Sequence, residues 1–350
     1  MARRRRDEVA HLMFLGVCAL ISFSFVWSIY SKPTALVFAP PRRLSAPVYS
    51  INKFCKLDSM EFVRRMAYDN ARFMMSVHDP VSDHVISKRI LDSGRYASVD
   101  EVQNICAHSG GYYRIHCGGG RLFVEVGSAV GMVSLYAASR GMRVHAFDPI
   151  QPNVDRLTES RCLNGEARCE NCADPSQWGP FAPDKFAIQW SLVDSEPGPE
   201  RTVSSGPQNL AETVGGGGAY HAMVNVTSID AEIGAEIEIL LLTCQGFEYN
   251  ALLGASDLLK YGKIKSIIWR RHPSVGSLLP VNVLGARRTL SRQDANAAKI
   301  TELLLEHGFS FYNIESKTSA PTRIPPSELA EYVLRPLHNG DHPNIFSALL

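Results

Sequence analysis

The sequence lacks a surplus of either charge. Its 36 lysines and arginines face 35 aspartates and glutamates, leaving a formal net charge of +1. That balance gives no global attraction to nucleic acid, and no basic patch stands out in the stretch read below as the folded domain. No nucleic-acid partner is expected. A second Cys-x-x-Cys pair is missing too. Cys169-Glu170-Asn171-Cys172 is half of a zinc pattern without its other half, so no metal site is expected. The glycine turn that opens a helix, Gly127-Ser128-Ala129-Val130-Gly131, has neither the Gly-x-Gly-x-x-Gly spacing of a pyrophosphate cradle nor the lysine of a phosphate loop. Gly215 to Gly218 also lack a lysine and a helix start, and read as part of a connector from Glu196 to Tyr220.

One stretch lacks charge altogether. His11 to Tyr30 holds no Lys, Arg, Asp or Glu, and follows a block of arginines, Arg3 to Arg6. About 20 apolar residues suffice to cross a bilayer as a helix. Trp27 and Tyr30 stand at the far end, where amphipathic rings favour the interface, and the arginines favour the cytosolic side. A type II signal anchor is the expectation, with everything beyond it in the lumen or outside the cell, in the Golgi or endoplasmic reticulum. A cleaved signal peptide and an organellar presequence are the alternatives. Phe25-Val26-Trp27 is a poor cleavage site.

The segments divide accordingly: residues 1–10 a cytosolic tail, 11–30 the span, 31–55 a Pro-containing stem, 56–115 a helical cap, 116–315 the main domain and 316–350 a Pro-rich tail. In the cap, Met60 to Met75, Asp83 to Asp92 and Val99 to Cys106 read as helices. Of eight cysteines, Cys18 lies in the span. The others, at 55, 106, 117, 162, 169, 172 and 244, would meet an oxidising compartment. Pairing among Cys162, Cys169 and Cys172, or of Cys106 with Cys117, is expected. The odd count leaves at least one thiol free or intermolecular. Asn225-Val226-Thr227 is a glycosylation sequon, and it falls on an expected strand.

The chain is organised around Arg121 to Pro149. Leu122 to Val126 is an apolar, β-branched run and reads as a buried strand. Met132 to Ser139 carries helical spacing, and Arg143 to Phe147 forms a second strand ending at Asp148. A βαβ unit with a glycine turn at its first crossover offers free backbone N–H groups to a ligand, and an acidic residue after the second strand can accept ribose hydroxyls. Glu125 is a carboxylate in an apolar run and needs a partner; a ligand ammonium would be one. Further on, Asn153 to Cys162 reads as a helix closed by Asn164-Gly165. Lys185 to Val193, His221 to Val226, Ile237 to Leu242, Lys263 to Trp269 and Phe309 to Ile314 read as strands, with helices at Gly246 to Tyr261 and Ile300 to His307. Alternating strands and helices imply an α/β, doubly wound, Rossmann-like sheet.

The acidic-x-Gly-x-x-x-Gly turn with its acidic strand end resembles the S-adenosylmethionine (SAM) site of class I methyltransferases. More narrowly, the chain resembles the FkbM-type methyltransferases over roughly Gly119 to Ile314. VEVGSAVGMVSLYAASRG leading to HAFDPIQPNVDRL, the strand ending SLVD, the pair VNVTSIDA and IEILLLTCQGFEYNALLGA, and SIIWRRHP carry the resemblance. It implies a class I fold and SAM as cofactor. Glu125, Gly127, Ser128 and Gly131 would line the methionine end, Asp148 would take the ribose, and Asn153 would lie near the adenosine. Asp194 would close the adenine pocket or cap a turn.

Two departures from the family pattern bear on catalysis. The strand before the Gly-x-Glu helix usually ends Asp-Val-Glu-Gly and here ends Thr243-Cys244-Gln245-Gly246. The next usually ends Glu-x-His and here ends Arg270-Arg271-His272. An oxygen acceptor must give up a proton, so losing these carboxylates removes the obvious bases. Glu248, His272 and Thr243 remain the candidate catalytic residues. The expected activity is SAM-dependent methyl transfer to an oxygen of a sugar, or of another small-molecule or glycan acceptor of the secretory pathway. A non-catalytic SAM-binding or structural lumenal module is the rival.

Overall fold

The computed structural model describes residues 62–68, 71–108, 115–167, 175–206, 209–213, 220–270, 278–283, 286–314, 320–334 and 344–349. The expected tail, span and stem lie outside these residues, as do the Cys169–Cys172 pair, Gly215 to Gly218 and His272. Among the described residues no helix is long and apolar enough to cross a membrane.

The described residues open on a β-hairpin of β1 (Val63–Tyr68) and β2 (Ala71–Ser76), where helical spacing suggests a helix from Met60 to Met75. The physical period is 2, not 3.6. Met66, Tyr68, Ala71, Phe73 and Met75 are buried, while Arg65, Ala67 and Arg72 are exposed. The residue pair Asp69-Asn70 separates the two runs, a spacing that favours a hairpin. Helices α1 (Ser87–Ser93) and α2 (Ala97–Ala107) follow close to where the sequence suggested them.

The main domain alternates strands and helices: β3 (Leu122–Val126), α3 (Met132–Ser139), β4 (Arg143–Asp148), α4 (Gln151–Ala167) and β5 (Phe186–Trp190). Gly165 does not end α4. It lies inside the helix because the Trp178 indole packs there, and a Cβ would come within 2.3 Å of that ring. The expected connector after Asp194 instead builds a second sheet, ordered β6-β9-β7-β8 from β6 (Leu192–Val193), β7 (Gly198–Gly206), β8 (Asn209–Thr213) and β9 (Tyr220–Thr227). The short helix α5 (Ile229–Glu232) leads into β10 (Ile237–Leu242). The helix expected over Gly246 to Tyr261 is two, α6 (Glu248–Leu253) and α7 (Ser256–Lys260). They part at Gly254, where a Cβ would come within 2.2 Å of the Asp194 carbonyl oxygen. Then come β11 (Ser266–Arg270), the hairpin β12 (Leu278–Val283) and β13 (Ala286–Ser291), α8 (Arg292–Glu306), β14 (Phe309–Asn313), β15 (Thr322–Arg323), α9 (Pro326–Leu334) and β16 (Asn344–Leu349). Strand β16 corrects the reading of residues 316–350 as a tail: it lies inside the main sheet, antiparallel to both β11 and β14.

Among the described residues the main sheet has eight strands, ordered β15-β14-β16-β11-β10-β3-β4-β5. Strands β3, β4, β5, β10 and β11 run parallel. The chain runs outward from β3 to β5, then returns to β10 on the other side of β3. Such an order reverses between β3 and β10, and doubly wound sheets bind ligands at that switch point, beyond the carboxyl ends of the strands. Side chains alternate between two cores across the sheet. Phe123, Ile239 and Leu241 join one core with α3, α4 and the first hairpin. Val124, Val126, Leu240 and Leu242 join the other with α6, α7 and α8.

Candidate functional site

A small cavity opens at the switch point. Glu125, Gly127, Ser128, Ala129 and Val130 line it from the β3–α3 turn, and Thr243 from the end of β10. Ile86, Tyr96 and Ser98, from the segment around α1 and α2, complete its lining. These last three carry no motif, and sequence reasoning missed them. Only the proximity of the N-terminal segment in the fold reveals them.

The turn is held by close packing. Gly127 has φ +84, and a Cβ there would come within 2.6 Å of the Thr243 carbonyl oxygen. Thr243 closes the contact from its side: its N–H donates to the Val126 carbonyl at 3.0 Å and its hydroxyl to the Gly127 carbonyl at 2.9 Å. Gly131 serves packing in another direction, since a Cβ there would lie 2.1 Å from a Leu157 methyl group on α4. The Ser128 hydroxyl is buried, lines the cavity, and finds no partner among the described residues.

Glu125 is 2% exposed. Its Oε2 accepts from the Ser134 N–H at 3.0 Å and the Ser134 hydroxyl at 2.5 Å, tying the strand to the first turn of α3. Burial pushes its carboxyl up to about 8; the Ser134 hydrogen bonds oppose the shift and the nearby Asp148 adds to it. Asp148 points under the turn and does not line the cavity. Its Oδ2 accepts from the Ala129 N–H at 2.7 Å, and its Oδ1 from the Ile150 N–H at 2.9 Å and the Asn153 amide at 3.0 Å. Burial raises it to about 7. Three accepted bonds leave about one lone pair, on Oδ2, for a ligand hydroxyl. Asn153 supports Asp148: its Nδ2 donates to Asp148 Oδ1, and its Oδ1 faces His78 Nε2 at 2.8 Å. Burial lowers the His78 pKa. The hairpin segment thus reaches the acidic strand end through His78 and Asn153.

Asp194 stands apart from the cavity. It pairs with Arg201, and its Oδ1 accepts from the Ser195 N–H and the Asn250 amide. Burial opposes its ionisation, but these three partners together hold its pKa below the usual carboxylate value. Of the two roles read for it, the observed contacts are those of a local tie. Glu248 is 5% exposed. Its Oε2 accepts from the Gly246 N–H at 2.7 Å, and burial raises it to about 7. Gln245, at φ 50, and Gly246, at φ 97, give that turn its sharp bend. Trp190, 40% exposed, is a further residue the sequence did not single out. It is the register partner of Asp148 on β5, and its indole N–H donates to the Pro149 carbonyl.

No protein-family model matches the sequence, and no curated protein matches it. Solved structures do align. The methyltransferase FkbM of Methylobacillus flagellatus KT is 13% identical, with 70% of this chain and 47% of that chain covered and a TM-score of 0.40. The magnesium protoporphyrin IX methyltransferase of Synechocystis PCC 6803, solved with bound SAM, is 12% identical over 76% of this chain and 85% of that one, with a TM-score of 0.37. The precorrin-6y C5,15-methyltransferase of Geobacter metallireducens GS-15 is 9% identical over 72% and 87%, with a TM-score of 0.33. The chain thus spans about half the length of the FkbM protein it matches. The assignment of a Rossmann-like α/β fold rests on the strand order itself.

Two polar groups therefore line the cavity: a deeply buried carboxyl, and a hydroxyl with no partner among the described residues. Buried groups of this kind call for a ligand bearing a cation and a hydrogen-bonding group. The ammonium and carboxylate of an amino acid supply both.

Proposed function

We propose that the domain binds SAM at the switch-point cavity and is a SAM-dependent methyltransferase. The observation that carries this reading is the convergence of Glu125, Ser128 and Thr243 on one cavity beyond β3 and β10. Glu125 would pair with the ammonium, Ser128 would hydrogen-bond the amino-acid end, and Asp148 would accept from the ribose through Oδ2. The cavity is too small for a whole nucleoside, and Trp190, exposed on β5 beside Asp148, would hold the adenosine end. When bound, SAM supplies an electrophilic methyl group. The chain's own work is then positioning, since transfer needs acceptor and methyl in line.

The acceptor is an oxygen of a sugar or of another secretory-pathway molecule. Glu248, raised to about 7 by burial, is tuned to take its proton near neutral pH. Thr243 orients through its hydroxyl and cannot serve as a base. The N-terminal stretch His11 to Tyr30 anchors the chain as a type II membrane protein and places the domain in the lumen. The Cys106–Cys117 disulfide, with Cα atoms 5.5 Å apart, supports an oxidising compartment.

A second reading keeps the SAM site and drops the reaction. It is favoured by the neutral Thr243-Cys244-Gln245 strand end and by the binding of Glu248 into its own turn. Incubating the full chain with SAM labelled in the methyl group and a panel of glycans separates the two. Label moving to a glycan, and lost in Glu248→Gln, supports the enzyme. Binding of SAM with no transfer to any acceptor supports the inactive module.

A further inference from the structure

The exposed side chain of Asn225 lies in the chain's single Asn-X-Ser/Thr sequence, on a strand whose other face is buried. On β9 burial alternates. Val224 and Val226 are 1% and 5% exposed, whereas His221, Met223 and Asn225 are exposed. The buried face packs with Val203 against Ile150. Both backbone edges of β9 are paired, to β7 and to β6, so the strand is fixed with the amide of Asn225 directed outward. The location on a strand, which by itself argues against an accessible acceptor, here leaves a glycan on Asn225 clear of the core once the strand has formed.

We propose that Asn225 carries an N-linked oligosaccharide, which covers the outer face of the small sheet where Met223 is 52% exposed. This inference rests on the lumenal placement read above. In the transfer, the Asn225 amide nitrogen forms a bond to the anomeric carbon of an oligosaccharide carried on a lipid diphosphate. The anomeric C–O bond breaks, its electron pair leaves on the diphosphate, and one amide proton passes to base. The Thr227 hydroxyl, which the acceptor sequence requires, donates to the Glu232 carboxylate at 2.6 Å in the folded domain, and Thr227 is 7% exposed. Addition therefore precedes the closing of β9 against α5, while the chain is still entering the lumen.

The test is expression of the full chain in cultured animal cells, with electrophoretic mobility read before and after treatment with peptide-N-glycosidase. A second acceptor sequence is built by Gly234→Asn with Glu236→Thr, at an exposed position with no atom within 4 Å of an added Cβ. One glycan on the natural chain, two on the chain with the added sequence, one on Thr227→Ser and none on Asn225→Gln are the expected results. No glycan on the natural chain but one on the chain with the added sequence overturns the inference while leaving the lumenal placement intact. No glycan on either overturns both.

Discussion

Glu125 meets two demands: it fastens α3 to β3 through Ser134, and it keeps a carboxyl facing the cavity. Its elevated pKa of about 8 gives ligand binding a definite pH dependence. A ligand ammonium favours the ionised form, so binding expels a proton wherever the free carboxyl still holds one. SAM affinity should rise as pH increases from about 6 to about 8, by up to roughly tenfold per unit for one proton. Calorimetry in buffers of differing ionisation enthalpy reads that proton directly. Glu125→Gln should weaken binding by about tenfold or more and flatten the pH dependence. At Gly131 the constraint is steric. Gly131→Ala forces a Cβ into Leu157 at φ +78, and should cost about 2–4 kcal/mol in denaturant unfolding. The carboxylate and glycines of this turn were legible in the sequence because their residue types are rare in such surroundings. Ile86, Tyr96 and Ser98 were not, since nothing in their own neighbourhood marks them as lining a cavity. The inward commitment of Asp148 was equally hidden, because it depends on the positions of Ala129 and Asn153.

At the scale of elements, the N-terminal hairpin is held to α4 by paired polar ties. The Met74 N–H donates to Asn164 Oδ1 at 2.7 Å, and Asn164 Nδ2 donates to the Met74 carbonyl at 2.6 Å. The Ser76 hydroxyl donates to Glu159 at 2.6 Å. Asn164→Ala leaves two part-buried backbone groups without this partner and should destabilise the domain by about 1–3 kcal/mol, measured by thermal or denaturant unfolding. Because the same hairpin reaches Asp148 through His78 and Asn153, this substitution should also weaken SAM binding, although Asn164 does not touch the cavity. A change in stability with no change in affinity would uncouple the hairpin from the site. The hairpin is hidden in the sequence behind a helical reading, because Phe62, Met66, Ala71, Phe73 and Met74 also fit a 3.6-residue period loosely. The alternation of Met66 and Tyr68, then Ala71, Phe73 and Met75, fits a period of 2 without exception. The central strands were legible for the opposite reason. Runs such as Ile237–Leu242 are buried on both faces and are apolar almost throughout.

Across the domain, three buried carboxyls among the described residues are raised: Glu125 to about 8, and Asp148 and Glu248 to about 7. Each holds a proton in the folded state over a range where the unfolded chain has released it. Their stabilising contribution is complete below about pH 4 and is lost as pH rises towards 8. The ligand-free domain should therefore unfold at progressively lower denaturant concentration between pH 5 and 8, and saturating SAM should reduce that slope. The sheet also depends on the far end of the chain. Strand β16 fills the space between β11 and β14, so the folded domain needs residues that composition had suggested were a tail. Its six residues follow a proline-rich stretch, and a strand completed only by distant partners leaves little local signal. Calorimetric titration of SAM into the full chain at pH 7.5 tests most directly whether the cavity binds the cofactor. One site per chain, with proton release and at least about tenfold weaker binding in Glu125→Gln, is the predicted result. No heat and no thermal stabilisation at saturating SAM, from a chain that is folded, would contradict it.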